Sequence, residues 1–91
     1  MKVVVHPRIM DKRPDITVND VLDAYASPVA TQPRLGTDPP QHVGVGVDGK
    51  GRNLEWVGAQ IGDDDLLIYH CMPVTKTTLD ELGLARRSRR R

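Results

Sequence analysis

Three apolar stretches separated only by short turns constrain the fold of this 91-residue chain most strongly. The stretches span residues 42–47, 54–61 and 66–70, and the residues between them are mainly Gly, Asp and Lys. Each stretch has the length of a β-strand and is rich in Val, Ile and Leu, as strands are. Because the turns leave no room for crossover helices, the three strands are predicted to pair antiparallel as a meander.

A helix is predicted to begin after Thr17 and to end at Ser27. Thr17 is a good N-cap residue, and Asp20 follows three positions later, where an acidic side chain favours a helix N-terminus. Pro28 ends the helix, because a proline pushes the preceding residue out of the helical region. Val18, Val21, Leu22 and Tyr25 recur on one face of this segment.

Two shorter helices are predicted on either side. One runs from about Pro7 to Lys12, and the other is capped by Thr75 and stopped by Gly83. Residues 1–5 either form an edge strand or lead into the first helix. Residues 29–41 contain three prolines and a glycine and are predicted to be a loop with a short extended piece at 29–32. This order predicts an α+β fold with helices on one face of an antiparallel sheet.

Charge is distributed unevenly along the chain. Five of the 13 basic side chains are arginines in the last six positions, which leaves 8 basic against 12 acidic residues elsewhere. We therefore expect one domain over residues 1–85 and a disordered Arg-rich tail over 86–91. Since the domain itself is net acidic, an anion-binding site on it has to be a local patch.

The composition also indicates in which cellular compartment the protein works and which kinds of partner it binds. Cys71 is the only cysteine, which fits a reducing, cytoplasmic setting and a small buried side chain. No apolar run reaches the roughly 18 residues of a membrane span, so no membrane partner is expected. With no Phe, one Trp and two Tyr, the core is small. A partner chain, or a second copy in a homodimer, is expected to cover part of the surface.

The glycine pattern Gly44-x-Gly46-x-x-Gly49 matches a dinucleotide-binding fingerprint in letters alone. That fingerprint requires a helix to open at the last glycine, whereas here a further turn and a new strand follow. We interpret the first two glycines as strand positions covered closely by another backbone or side chain. No cofactor is expected. The three histidines lack metal-ligand spacing and residues 63–65 are typical of a polar turn, so no metal site is expected either.

What remains is a set of imidazole and cationic groups. Metal-free cleavage of RNA requires a base for the 2′-hydroxyl, an acid for the leaving oxygen and cations for the phosphorane charge. Scattered Arg and Lys residues more often solvate a surface, and the residue types alone leave both interpretations open. The catalytic candidates are His6, Arg52, His70 and Lys76, and the RNA-binding candidates are Arg8 and Arg13, with Lys12 between them.

Several short motifs carry a family resemblance. They are a helix ending in a small residue plus Pro (16–28), a glycine-rich strand (43–46), a Gly-Arg turn with the apolar strand after it (51–57), and a Val-Thr-Lys that opens the last helix (74–76). His6 and Arg13 precede the second helix. Together they resemble the BrnT family of ribonuclease toxins and its relatives in the RelE superfamily.

The resemblance implies a RelE-like fold, metal-independent cleavage of RNA, and inhibition by a cognate antitoxin protein. In the ribonuclease that the resemblance implies, we expect Arg52 and Lys76 to hold phosphate and His70 or His6 to be the general acid or base. One departure matters. Many relatives carry Ser-Ala-Arg just before the last helix, where this chain has residues 70–72, His-Cys-Met. Either His70 replaces the missing arginine, or the chain is an inactive descendant.

Two other functions stay open on the sequence. The aromatic-poor core and the missing arginine favour a non-enzymatic protein-binding module whose exposed sheet is covered by a partner chain. A nucleic-acid-binding regulator is a third interpretation, although the short helix pair lacks a recognisable recognition helix.

Overall fold

The computed structural model of the chain describes residues 2–84 as a five-stranded mixed sheet with three helices. The strands lie in the order β1-β5-β4-β3-β2. β1 is parallel to β5, and every other neighbouring pair is antiparallel. The elements are β1 (Val3–Val5), α1 (Arg8–Lys12), α2 (Val18–Ala26), β2 (Pro28–Arg34), β3 (Gln41–Val47), β4 (Asn53–Ile61), β5 (Asp65–Pro73) and α3 (Lys76–Glu81).

The predicted meander is confirmed as β3, β4 and β5, and the three predicted helices are present. Residues 3–5 take the edge-strand alternative and pair with β5. The predicted extended piece at residues 29–32 is confirmed as part of β2, but the strand continues to Arg34, where a loop was predicted. Pro28 and Pro33 are tolerated there because β2 is an outermost strand, where a missing N–H need not break the ladder.

The start of α2 is fixed by a capping box. The Thr17 hydroxyl accepts from the Asp20 backbone N–H at 3.1 Å, and the Asp20 carboxylate accepts from the Thr17 backbone N–H at 2.9 Å. Two backbone donors that a helix N-terminus leaves unpaired are thereby satisfied. The N-cap predicted from sequence is confirmed, and so is the helix end before Pro28.

Two glycines in β3 allow close packing on the α2 side of the sheet. A Cβ placed on Gly46 would overlap the carbonyl oxygen of Ala24 in α2, and one placed on Gly44 would lie 2.6 Å from the ring of Trp56. The expectation that these glycines are closely covered strand positions is confirmed. The glycine pattern thus has a packing role, in which α2 and an indole ring lie directly against the strand backbone.

The sheet is covered on both faces, so the expectation of helices on one face only was wrong. α1 and α2 pack on one face, over a core that includes Leu54, Trp56 and Ile68. Alternation along the strands turns Val43, Val45 and Val57 to the other face, and these residues are also buried. α3 lies on this second face, where Thr75 contacts Glu55 and Glu81 contacts Arg34.

A β-bulge interrupts β5 next to the site described below. Val57 pairs with His70 whereas Gly58 pairs with Ile68, so Tyr69 is the extra residue. Tyr69 and His70 therefore do not simply alternate between the two faces of the sheet, and both are half-buried. Pairing with β1 ends at Ile68, and the later residues of β5 form an outer edge of the sheet.

The predicted Arg-rich tail, residues 86–91, lies outside the described residues. Among residues 2–84, no helix has the length and hydrophobicity needed to cross a membrane.

The packing of α2 on β3 predicts that Gly46→Ala strongly destabilises the protein. Its methyl group meets backbone that cannot rotate away, so we expect a loss of about 3 kcal/mol, the upper part of the range for overpacking. The melting temperature should then fall by more than about 10 °C. Gly49→Ala is the matched control, because its new methyl group meets only the Asp23 side chain, at 3.1 Å. Equal melting temperatures for the two variants would contradict this account of the packing.

Candidate functional site

A cleft of about 400 Å³ lies beside the outer edge of β5 and α1. Its lining residues include three permanently cationic residues and one histidine, and neither Asp nor Glu is among them. We call it the basic cleft. It is lined by Arg8, Ile9, Lys12, Arg13, Tyr69, His70, Cys71 and Met72.

The short helix α1 sets the spacing of the cations. Ile9 is buried in the core and anchors the helix, and the backbone N–H of Arg13 donates to the Ile9 carbonyl at 2.9 Å. Arg8 and Lys12 are four residues apart and therefore share a helix face. Like charges at this spacing destabilise a helix by about 0.2 to 0.5 kcal/mol. An anion bound beside them would remove this repulsion.

The cations of the basic cleft are unpaired, unlike most others in the domain. No ion pair joins Arg8, Lys12 or Arg13 to a carboxylate within residues 2–84. The basic residues that do form such pairs are Arg34, Lys50, Arg52 and Lys76. A net acidic domain thus carries one local concentration of uncompensated positive charge, which favours an anionic ligand.

His70 is held by a buried carboxylate. Its Nε2 lies 2.7 Å from Oε2 of Glu55, and Glu55 is only 5% exposed. Burial acts to raise the pKa of Glu55, but hydrogen bonds from Thr75, His70 and Thr78 outweigh it and bring the pKa below its ordinary value. An ionised carboxylate can only accept, so Nε2 carries the proton of this hydrogen bond. Nδ1 has no hydrogen-bond partner among residues 2–84 and is the nitrogen left for chemistry.

Cys71 also lines the basic cleft, but its thiol is poorly suited to nucleophilic chemistry. Burial raises the pKa of Cys71 to about 12, so the thiolate is scarce at neutral pH. The prediction of a small buried cysteine is confirmed. In this cleft the imidazole is therefore the better base.

Arg52, a predicted catalytic residue, is surrounded by carboxylates away from the basic cleft. Its guanidinium lies 2.7 Å from Asp48, 3.0 Å from Asp20 and 3.2 Å from Asp15. Hydrogen bonding to Asp48 is the main cause that raises the pKa of Arg52. Lys50 adds a second cation at 2.9 Å from Asp20. This network ties the β3–β4 turn to the start of α2, and it neutralises Arg52.

His6 and Lys76, the other predicted catalytic residues, do not line the basic cleft either. The Nδ1 atom of His6 accepts a hydrogen bond from the Arg8 backbone N–H at 3.0 Å, just before α1. Lys76 begins α3, its side chain is 77% exposed, and it lies 3.6 Å from Asp80. Its position suits a solvated surface cation.

The structure thus brings together three of the predicted site residues, Arg8, Arg13 and His70. Glu55 was missed from the sequence, although a signal was present. An acidic residue between Leu54 and Trp56, inside an otherwise apolar strand, usually needs a buried hydrogen-bond partner.

A second cleft, of about 550 Å³, lies on the α2 face of the sheet. We call it the aromatic cleft, because Tyr25 and Trp56 line it with ring centroids 5.2 Å apart. The carboxylates Asp64 and Asp65 line it as well, and no Lys or Arg does. Despite its larger volume, its charges disfavour a phosphate group.

Comparisons of this chain with family models, with curated proteins and with solved structures gave no match. Within residues 2–84, no three His, Cys, Asp or Glu side chains are grouped as ligands for a metal ion.

The network around Arg52 predicts a pH-dependent stability for Asp20→Asn. Hydrogen bonds from the Thr17 backbone and from Lys50 are the main causes that lower the pKa of Asp20 from 3.8 to about 2. Between these pH values the unfolded chain binds more protons at Asp20 than the folded one, so this stabilisation is complete above pH 3.8 and is lost toward pH 2.

We expect Asp20→Asn to lower the free energy of unfolding by about 1 to 2 kcal/mol at pH 7, as for a lost cap, and by progressively less as the pH approaches 2. Urea titrations across this range measure the difference. Asp23→Asn, an exposed change on the same helix, is the control. This role of Asp20 would be contradicted if the difference in unfolding free energy between the wild type and Asp20→Asn did not change with pH. An equal loss of unfolding free energy in Asp23→Asn would contradict it as well.

Proposed function

We propose that the protein is a toxin-like ribonuclease that cleaves RNA without a metal ion, with the basic cleft as its active site. One observation carries the proposal: three basic residues that have no carboxylate partner within residues 2–84 line the same cleft as His70, whose imidazole is held by a buried carboxylate. The cations suit a phosphodiester, and the imidazole suits proton transfer.

In the proposed mechanism, Nδ1 of His70 accepts the proton of a ribose 2′-hydroxyl. The 2′-oxygen attacks the adjacent phosphorus, and the P–O5′ bond breaks after a pentacoordinate phosphorane. The products are a 2′,3′-cyclic phosphate and a 5′-hydroxyl, whose proton comes from water. Glu55 stabilises the imidazolium that forms, as a carboxylate does behind a catalytic histidine.

The cations of the basic cleft have two tasks in this mechanism. They bind the phosphate in the ground state, and they stabilise the additional negative charge of the phosphorane. Arg8 and Arg13 lie on or directly after α1, so the positive charge at this site comes from the N-terminal part of the chain. The positive charge of Arg8 and Arg13 thereby replaces that of the arginine that many BrnT-like chains carry just before the last helix and that this chain lacks.

The family assignment belongs to the same proposal. A RelE-like fold, a cytoplasmic setting and a cognate antitoxin as partner are what the resemblance implies for a chain with such a cleft. An inactive descendant would keep RNA binding at the basic cleft without turnover.

A second candidate function is the protein-binding module. α3 occupies part of the face that was expected to be open, but the outer edge of β2 is unpaired within the described residues. Val29 is 52% exposed and Leu35, just after β2, is 93% exposed. An unpaired edge with exposed apolar side chains suits pairing with a strand of another chain.

The catalytic proposal predicts that His70→Ala loses RNA cleavage. We expect a decrease of about 10² to 10⁴-fold, the contribution usual for a general acid or base. Cleavage of a labelled RNA, measured with purified protein in EDTA, tests this expectation. His42→Ala is the matched control, because His42 lines the aromatic cleft instead.

Full activity in His70→Ala would contradict the mechanism. RNA binding without cleavage by the wild type would select the inactive descendant. Absence of both binding and cleavage would favour the protein-binding module.

A further inference from the structure

We propose that helix α3 positions His70 through Glu55, so that a ligand or partner that displaces α3 lowers activity at the basic cleft. Displacement of α3 would thus regulate the proposed active site, and its effect on RNA cleavage rests on the proposed function. The coupling itself is a property of three hydrogen-bonded groups.

Glu55 is shared between the imidazole and the beginning of α3. Its Oε2 accepts from His70, while its Oε1 accepts from the Thr75 backbone N–H at 2.9 Å and from the Thr75 hydroxyl at 2.7 Å. The Thr75 hydroxyl oxygen in turn accepts from the Thr78 backbone N–H and caps α3. One carboxylate therefore fixes the ring nitrogen of His70 and also the first turn of α3.

The other end of α3 is held by different residues, toward the β2 edge of the same face. Arg34 in β2 makes a bidentate ion pair with Glu81, at 2.9 and 3.0 Å. The Gln32 side chain also donates to the Glu81 carbonyl, at 3.2 Å. With only six residues, α3 has little stability of its own, so it depends on these two attachments.

Loss of α3 would leave Glu55 with two fewer donors at Oε1. The carboxylate could then rotate or take up water, and the Nε2–H form of His70 would lose its fixed acceptor. Nδ1 would be protonated in part of the population and would no longer be available as a base. Displacing α3 would therefore weaken His70 as a base without any contact at the basic cleft.

The side-chain tautomer of His70 provides the test, because it can be measured without RNA. Nitrogen-15 NMR of the histidine rings is recorded at a pH where all three imidazoles are neutral, and His70→Gln assigns the signals. We expect a single Nε2–H tautomer in the wild type. In Glu55→Gln we expect about equal populations of both tautomers, because an amide can donate as well as accept.

The decisive variant is Arg34→Gln, which removes the attachment of α3 to β2 and breaks no hydrogen bond of His70 or Glu55, although the Arg34 charge also acts on Glu55 through space. We expect it to produce a measurable population of the Nδ1–H tautomer and to lower RNA cleavage by about 10-fold, as loss of an orienting partner does. Asp80→Asn is the matched control, since Asp80 lies on the exposed side of α3 and, among residues 2–84, forms an ion pair only with Lys76. Near-ultraviolet circular dichroism checks that each variant is folded.

If Glu55→Gln does not fold, Thr75→Ala replaces it, since that change leaves the buried carboxylate in place. An unchanged His70 tautomer in Arg34→Gln would overturn the coupling, whether or not the protein cleaves RNA. A changed tautomer in a wild-type protein that does not cleave RNA would support the coupling and reject the proposed function.

Discussion

The Glu55 carboxylate is the group on which the α3 face of this structure depends. It is buried in β4, and its hydrogen bonds reach His70 in β5 and Thr75 at the start of α3. A buried charge is costly unless it is fully hydrogen-bonded, and here the bonds are numerous enough to keep the pKa of Glu55 below its ordinary value. The need to satisfy this charge fixes α3 against the sheet and orients the imidazole.

The domain also separates its cations into two groups. Arg34, Lys50 and Arg52 are bound to carboxylates and hold β2, the β3–β4 turn and α2 in place. Within the described part of the chain, the cations of the basic cleft have no such partners. This separation explains how a domain with more acidic than basic residues can present an anion site, since the paired cations contribute little net charge to the surface.

Local signals in the sequence predicted much of the fold. Thr17 and Thr75 mark helix starts, and Pro28 marks a helix end. The short turns of the meander allowed only antiparallel pairing. β2 was predicted only as a short extended piece within a loop, because prolines argue against a longer strand unless the strand is known to be outermost. The parallel pairing of β1 with β5 depends on contacts between residues about 60 positions apart, which no local pattern encodes.

The site was predicted less well, for a related reason. Arg52, His70 and Lys76 have side chains suited to the chemistry, but the sequence does not show which cations meet carboxylates in the folded chain. Arg52 and Asp48 are close in sequence, whereas Asp15 and Asp20 reach Arg52 only through the packing of α2. The role of Glu55 likewise required the register between β4 and β5 and the position of α3.

Mapping of a bound RNA tests the central claim, that the basic cleft is the functional site, most directly. A short 2′-O-methyl RNA cannot be cleaved at its 2′-position, so it can be titrated into ¹⁵N-labelled protein and followed through the backbone amides. We expect saturable changes in the amide chemical shifts, centred on residues 8–13 and 69–72. Shifts confined to the aromatic cleft, at Tyr25, Thr31, His42 and Gln60, or no saturable shifts at all, would contradict it.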